Sequence, residues 1–268
     1  MRHLRFAMAG GVLVLAASLA VIWRLEHRGP GRPSIGDAIS RFRTSSTVGT
    51  STRLWQPRPG VYVYSGTGDE SLSFLNTRQT EGPTEPGTVT LQPDGCWQFR
   101  IDYNSFHHQM WERCSTRTKL VESGGTADQR FDFVAFKEGE HSNTSCTPPF
   151  IVADLAATPG TSAPVHCTGR SETTKATFRQ DGTATYVGRD TVTVGGTGVP
   201  ALHAREDLHL SGGQTGYVHI DIWFAASDGL PLKEAHSISV ESPAPSPINH
   251  VNYSEHGTWQ LNSMTPRV

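Results

Sequence analysis

Between Cys96 and Cys114 the chain alternates with period two. Trp97, Phe99, Ile101 and Tyr103 are separated by Gln98, Arg100 and Asp102, the pattern of a strand buried on one face. Asn104-Ser105-Phe106 supplies turn chemistry, and His107 to Cys114 leads back. With Ser105 as pivot, Cys96 falls opposite Cys114, Phe99 opposite Trp111, and Trp97 opposite Arg113. Directly opposed residues in an antiparallel pair have Cβ atoms about 4.5–5.5 Å apart, near what a disulfide needs. The pattern therefore favours a Cys96–Cys114 bridge, with Cys146–Cys167 preferred for the other pair. Four cysteines allow three connectivities, so the pairing remains a choice.

Similar alternation recurs along the chain. Strands are expected at Gly60–Tyr64, Leu72–Leu75, Thr88–Leu91, Thr118–Ser123, Arg130–Phe136, Lys175–Arg179 continuing into Thr183–Val187, Asp190–Val194, Ala201–Leu210, Tyr217–Ala225, Leu232–Val240 and Gly257–Met264. Residues 146–167 read as a disulfide-closed loop with one helical turn. One helix is expected, over Ile35–Arg43, where Ser34 and Asp37 resemble a capping pair and Ile35, Ala38, Ile39 and Phe42 form one apolar face. So many antiparallel strands with so little helix imply a sandwich, a barrel or one strongly curved sheet.

Composition agrees with many short turns: the 268 residues include 27 Gly and 17 Pro, and 36% are hydrophobic. Net charge is −2, but Arg2, Arg5, Arg24, Arg28 and Arg32 stand against Glu26 in the first 32 residues. Setting those aside leaves about −6, and a mildly acidic domain does not suit nucleic acid as a partner. Phe6 to Trp23 is a run of 18 uncharged, mostly apolar residues, the lower edge of a membrane-spanning helix. A cleaved signal peptide ending near Ser18-Leu19-Ala20 is the rival reading, giving a secreted protein. The run continues through Val21 and Ile22 to Trp23, which favours a retained anchor. Paired cysteines place the remainder on the oxidising side of the membrane. The expected organisation is a signal anchor over 1–25, a linker with the short helix over 26–58, and an extracytoplasmic β domain over 59–268.

Two hairpins can be registered by pattern. Ser211–Thr215 as a turn sets Leu208 opposite Val218, Ala204 opposite Ile222, Leu202 opposite Phe224 and Glu206 opposite Ile220. The reverse face pairs Arg205 with Asp221 and Asp207 with His219, which suits water. A three-residue turn at Ser227-Asp228-Gly229, with Gly229 in the left-handed region, then sets Phe224 against Leu232, Val218 against Ile238 and Ile220 against His236. Glu206 and His236 thus flank Ile220 on an apolar face, with Glu234 one step along. Ionisable groups there are costly unless paired, so they mark either a structural pair or a pocket. A two-residue turn would send His236 to the other face.

Catalytic and metal signatures do not appear. There is no GxSxG, no CxxC, no HxxxH or HxH among 12 histidines, and no calcium-loop spacing. His107-His108 reads as an exposed pair at a hairpin tip. Two glycosylation sequons, at Asn143 and Asn252, are too short to carry weight. Neither an enzyme nor a cofactor or metal site is expected.

Trp223-Phe224, Asp228-Gly229 and Leu230-Pro231-Leu232-Lys233 resemble a pattern of LolA-like envelope proteins, including the LppX and LprG lipoprotein carriers and the RseB N-terminal domain. The order of anchored N-terminus, short helix and meandering strands is similar too. The resemblance implies a half-barrel sheet whose concave face holds acyl chains, and hence a lipid or lipopeptide ligand, or a sensory module beside a signalling protein. The chain departs from the lipoproteins in having no cysteine before Cys96, so no lipid-modified cysteine, and in its two expected disulfides. It also looks like many uncharacterised anchored proteins of high-GC actinobacteria, an origin that its four lysines among 23 basic residues suit.

The expected architecture is therefore a mainly β, strongly curved antiparallel half-barrel behind a transmembrane helix. It binds a hydrophobic ligand on its concave face, at Glu206, Glu234, His236, Ile220, Ile222, Phe224, Phe99 and Trp111. The alternative is a structural or protein-interaction module of the cell envelope with a filled interior.

Overall fold

The computed structural model describes residues 30–45, 55–73, 77–132, 137–243 and 250–268. The N-terminal apolar run lies outside these residues, as do 133–136 of the expected strand Arg130–Phe136. Among the described residues no helix is long and apolar enough to cross a membrane.

Among the described residues one helix, α1 (Ile35–Ser45), precedes thirteen antiparallel strands: β1 (Gly60–Leu72), β2 (Thr77–Glu81), β3 (Thr84–Leu91), β4 (Cys96–Asp102), β5 (His107–Ser115), β6 (Lys119–Asp132), β7 (Lys137–Asp154), β8 (Ser162–Ser171), β9 (Thr177–Val194), β10 (Thr197–Gly212), β11 (Thr215–Ala225), β12 (Pro231–Pro243) and β13 (His250–Leu261). Each strand pairs with its sequence neighbour, except that β2 and β3 share one edge of β1 and so occupy one position.

The expected half-barrel is corrected here. The free edge of β1 pairs with β13 from Tyr64↔Leu261 to Leu72↔Tyr253, and the sheet closes into a 12-strand barrel. Closure joins the first and last strands of the sheet, whose edges would otherwise be free. The strands bend enough to close partly through register shifts at Glu112/Arg113, Glu122/Gly124, His203/Ala204 and Trp223/Phe224.

Both disulfides have the expected partners, Cys96–Cys114 and Cys146–Cys167. The β10–β11 register is the expected one throughout, and Ile220 faces His236. Gly229 has φ +74°, but the shift at Trp223/Phe224 sets Phe224 against Pro231 rather than Leu232. Three other expectations are corrected. Residues 146–167 are mostly strand instead of a loop with a helical turn: beyond Cys146↔Cys167 the two strands part, β7 running to Asp154 against β6 and β8 starting at Ser162 against β9. Leu72 ends β1 instead of starting a strand. The two segments expected around 175–194 are one strand, β9.

From Leu202 to Leu210 the alternation places even residues of β10 inside and odd ones outside. Leu202, Ala204, Glu206 and Leu208 are buried, whereas His203 and Arg205 on the outer face pair with Asp221. Interior packing is dense at the end holding the β3–β4, β5–β6 and β11–β12 turns. Tyr64 meets Trp259 edge-on at 4.9 Å between ring centres, and Phe99 stacks on Trp111 at 5.8 Å. Two buried polar tips in this layer are bonded: Trp97 Nε1 donates to Ser115 Oγ at 3.0 Å, and the Tyr64 hydroxyl donates to Pro231 O at 2.9 Å. Trp55 lies against the β11–β12 turn and donates from Nε1 to Ala226 O at 3.1 Å.

Helix α1 packs outside the barrel, where Ala38 and Phe42 meet Val61. Its Arg41 bonds Asp102, so Asp102 is 5% exposed although its side chain points outward as expected. Ser34 Oγ accepts from Asp37 N at 3.2 Å, the capping contact the sequence suggests.

Candidate functional site

Toward the opposite end the interior is hollow. A cavity of about 530 Å³ is bounded mainly by β5 to β13 and reaches the surface beside Thr173, Thr174 and Gln214, at the β8–β9 and β10–β11 turns. Phe131, Phe150, Leu210, Val218, Ile238 and Val240 give it apolar walls, and the Cys146–Cys167 bridge is part of the lining. The walls exist because β6, β7, β9 and β10 run 14–18 residues, well beyond the packed end.

The cavity ends on two groups of buried polar side chains. The first is built by the bulged β5–β6 pairing, which sets Arg113 opposite Glu122 on the inner face. Arg113 Nε and Nη2 each lie 3.0 Å from Glu122 Oε2, and the guanidinium sits 5.1–5.8 Å from the rings of Phe224, Trp111 and Trp97. Glu206 faces this pair from β10. Burial, and then the charge of Glu122, push its carboxyl well above the usual range, with Arg113 opposing. Burial thus favours the protonated form of Glu206, which can donate a hydrogen bond on the cavity wall.

The second group joins β1, β2, β5, β12 and β13. Glu70 and Glu255 are directly opposed across β1–β13, and His107 Nδ1 lies 3.4 Å from Glu70 Oε2 and 3.8 Å from Glu255 Oε1. His236 places Nε2 at 3.1 Å from Glu255 Oε1 and 3.8 Å from Glu81 Oε2, and Nδ1 at 3.1 Å from Glu234 Oε1. The Tyr253 hydroxyl reaches Glu255 Oε2 at 2.5 Å and Glu70 Oε2 at 3.2 Å, while Asn104 donates to Glu70 Oε1 at 3.0 Å. Gln129 also donates to Glu70.

Glycines make the room. A Cβ on Gly257 would fall 2.6 Å from His236 Nε2, and Glu81 lies over both Gly68 and Gly257, which are themselves opposed.

Electrostatics divide the carboxyls. Burial raises that of Glu255, yet His107 and His236 outweigh it and hold it far below the usual range. Burial and the nearby Glu255 push Glu81 up to about 10, and burial pushes Glu85 up to about 8. Burial pulls His236 down, but Glu255 and Glu234 raise it well above an ordinary imidazole, and Glu70 and Glu255 likewise raise His107 against burial. Without other ligands, His107 and His236 flank the Glu255 carboxylate, while burial holds Glu81 and Glu85 toward their neutral forms.

Of the expected site residues, Glu206, Ile220 and Trp111 line the cavity. His236 and Glu234 are buried in the second polar group, and Phe99, Ile222 and Phe224 belong to the packed layer. The expectation of an exposed His107 is corrected: it is 3% exposed and lies on the cavity floor with Glu255. Its burial follows from the turn, where Asn104 Oδ1 accepts from the backbone N–H groups of Phe106 and His107 and starts β5 with His107 inward. Glu70, Glu81, Glu122, Tyr253 and Glu255 escaped the sequence reading. Their signal was available only in part, in Glu81, an acidic residue in the inward phase of a strand facing Gly68.

The chain matches no family model, no curated protein and no solved structure.

Proposed function

We propose that this protein is an extracytoplasmic binding protein, held to the membrane by its N-terminal apolar run, that takes a lipid-like amphiphile into the barrel. The observation that carries the reading is the cavity of about 530 Å³ with apolar walls ending on carboxyls. That volume lies within the range of small-molecule sites, about 300–1,000 Å³. The apolar part of the ligand lies against Phe131, Leu210, Val218 and Val240. Its polar end meets the Glu206 carboxyl and the Arg113–Glu122 pair, so a head group with both hydrogen-bond donors and acceptors suits the floor. Two disulfides support the oxidising compartment. The resemblance to LolA-like carriers points to the same ligand class, now in a closed barrel instead of an open one.

The test is mass spectrometry of lipid extracts from full-length protein purified under native conditions, together with titration by a fluorescent fatty-acid probe. A reproducible amphiphile at near one equivalent, with affinity altered by Glu206→Gln, is expected. Lipid-free protein that also fails to bind the probe would sink the reading in favour of an envelope interaction module.

A further inference from the structure

We propose that Glu81, His107, His236 and Glu255 form a site for one divalent transition-metal ion of the zinc class. The donors come from four strands, β2, β5, β12 and β13, and no spacing in the sequence joins them. One ligand atom each from Glu81, His107 and Glu255 lie within 4.8 Å of one another, and His236 Nε2 adds a fourth at 3.1 Å from Glu255 Oε1. Metal–ligand bonds of about 2.0–2.2 Å set neighbouring donors about 3.3–3.5 Å apart. The His236 pairs at 3.1 and 3.8 Å and the His107–Glu255 pair at 3.8 Å are near that separation.

An acidic cluster alone would mean little. The further observation is that Glu81 Oε1, His107 Nδ1, His236 Nε2 and Glu255 Oε1 are all buried without a hydrogen-bond partner. The contact of His236 Nε2 with Glu255 is short, but it is not aligned as a hydrogen bond. These side chains are at most 4% exposed. Orphaned polar atoms of this kind are rare inside proteins, and four around one point share an explanation if a cation completes them.

The surroundings orient the donors. Glu234 accepts at His236 Nδ1, which puts the ring proton there and leaves the Nε2 lone pair for a metal. Tyr253 donates to Glu255 Oε2 and leaves Oε1 facing inward. Gly68 and Gly257 clear the space beneath. Two carboxylates balance a 2+ charge, and two imidazoles favour zinc, iron or copper over calcium and magnesium. His107 and Glu255 line the cavity floor, which supplies an entry path. The inference does not rest on the ligand reading, because lipid binding and metal binding are measured separately.

Full-length protein stripped with a chelator should take up one zinc per chain by calorimetry and elemental analysis, with Kd below about 1 µM and a chelator-reversible rise in Tm. Cobalt(II) should give the visible bands of a nitrogen-containing site of low coordination number. His236→Gln should abolish uptake. Glu234→Gln keeps all four ligands and should weaken binding about 10–100-fold. If His236→Gln fails to fold, Glu234→Gln and the cobalt spectrum of the wild type decide. Absence of stoichiometric zinc in folded wild type, unchanged affinity in Glu234→Gln, or equally tight calcium and magnesium would each overturn the site.

Discussion

Glu70 and Glu255 face one another across the seam of the barrel, β1 against β13, with 0% and 2% of their surfaces exposed. Like charges directly opposed on a sheet are destabilising, and burial sharpens the cost. The seam tolerates them because His107 lies beside both, and Tyr253 bonds both.

Removing His107 should therefore damage the fold more than its size suggests. In chelator-treated protein, His107→Ala is expected to cost about 3–5 kcal/mol in urea unfolding, the range for leaving buried charge uncompensated. Adding Glu255→Gln should recover part of it, with a coupling of about 1–3 kcal/mol. The pH dependence has a definite sign. The imidazole is raised in the folded state, so its contribution is complete below the unfolded value of about 6.5 and fades as pH rises through the folded one. Additive single and double variants would show that His107 does not bridge the pair.

Glu206 should show the reverse economy of charge. Its carboxyl is raised well above the ordinary value, so the folded state keeps a proton that the unfolded chain releases above about pH 4.3. Stability then falls with rising pH until the folded value is reached. Glu206→Gln removes that loss. It should be more stable than wild type at pH 8 by roughly 1–3 kcal/mol, the scale of an unmatched buried group, and equal to it near pH 4. A variant less stable at pH 8 would mean that Glu206 is ionised and paired.

Gly257 tests the close packing of the second polar group. Gly257→Ala puts a methyl 2.6 Å from His236 Nε2. Overpacking of this kind is expected to cost about 1–3 kcal/mol. The displacement should also appear as a changed imidazole chemical shift for His236, while Gly160→Ala, where a Cβ meets nothing within 4 Å, leaves that shift alone.

Val218 lies on the cavity wall, and Val218→Trp fills space without cutting a polar contact. Bound amphiphile should fall by at least tenfold while Tm stays level or rises. Undiminished ligand in the folded variant would place the binding elsewhere.

The strand pattern was legible around the two turns that alternation could register, and was missed at β2 and at the β7–β8 pair. Alternation around Ser105 set Cys96 opposite Cys114, and alternation around the 211–215 turn set Glu206 opposite Ile220. Helix α1 was readable from its cap and its apolar face. A hairpin confines its own register, because one slipped residue reverses every side chain.

Long-range relations were not legible. A period of two states that two faces exist, but not whether the sheet's edges meet, and Tyr64 finds Leu261 only when the accumulated twist and bulges bring them together. The half-barrel expectation failed at that step. Glu206 and His236 could be placed on an apolar face because their hairpins overlap. Glu81, His107 and Glu255 could not be joined to them, since closure alone gathers β2, β5 and β13 around one point. The amino-acid pattern thus determined most of the strands and their inward faces, and favoured the two disulfide pairings. Only the closed barrel decided that buried carboxyls and imidazoles share one interior, because strands far apart in the chain meet through the curvature of the whole sheet.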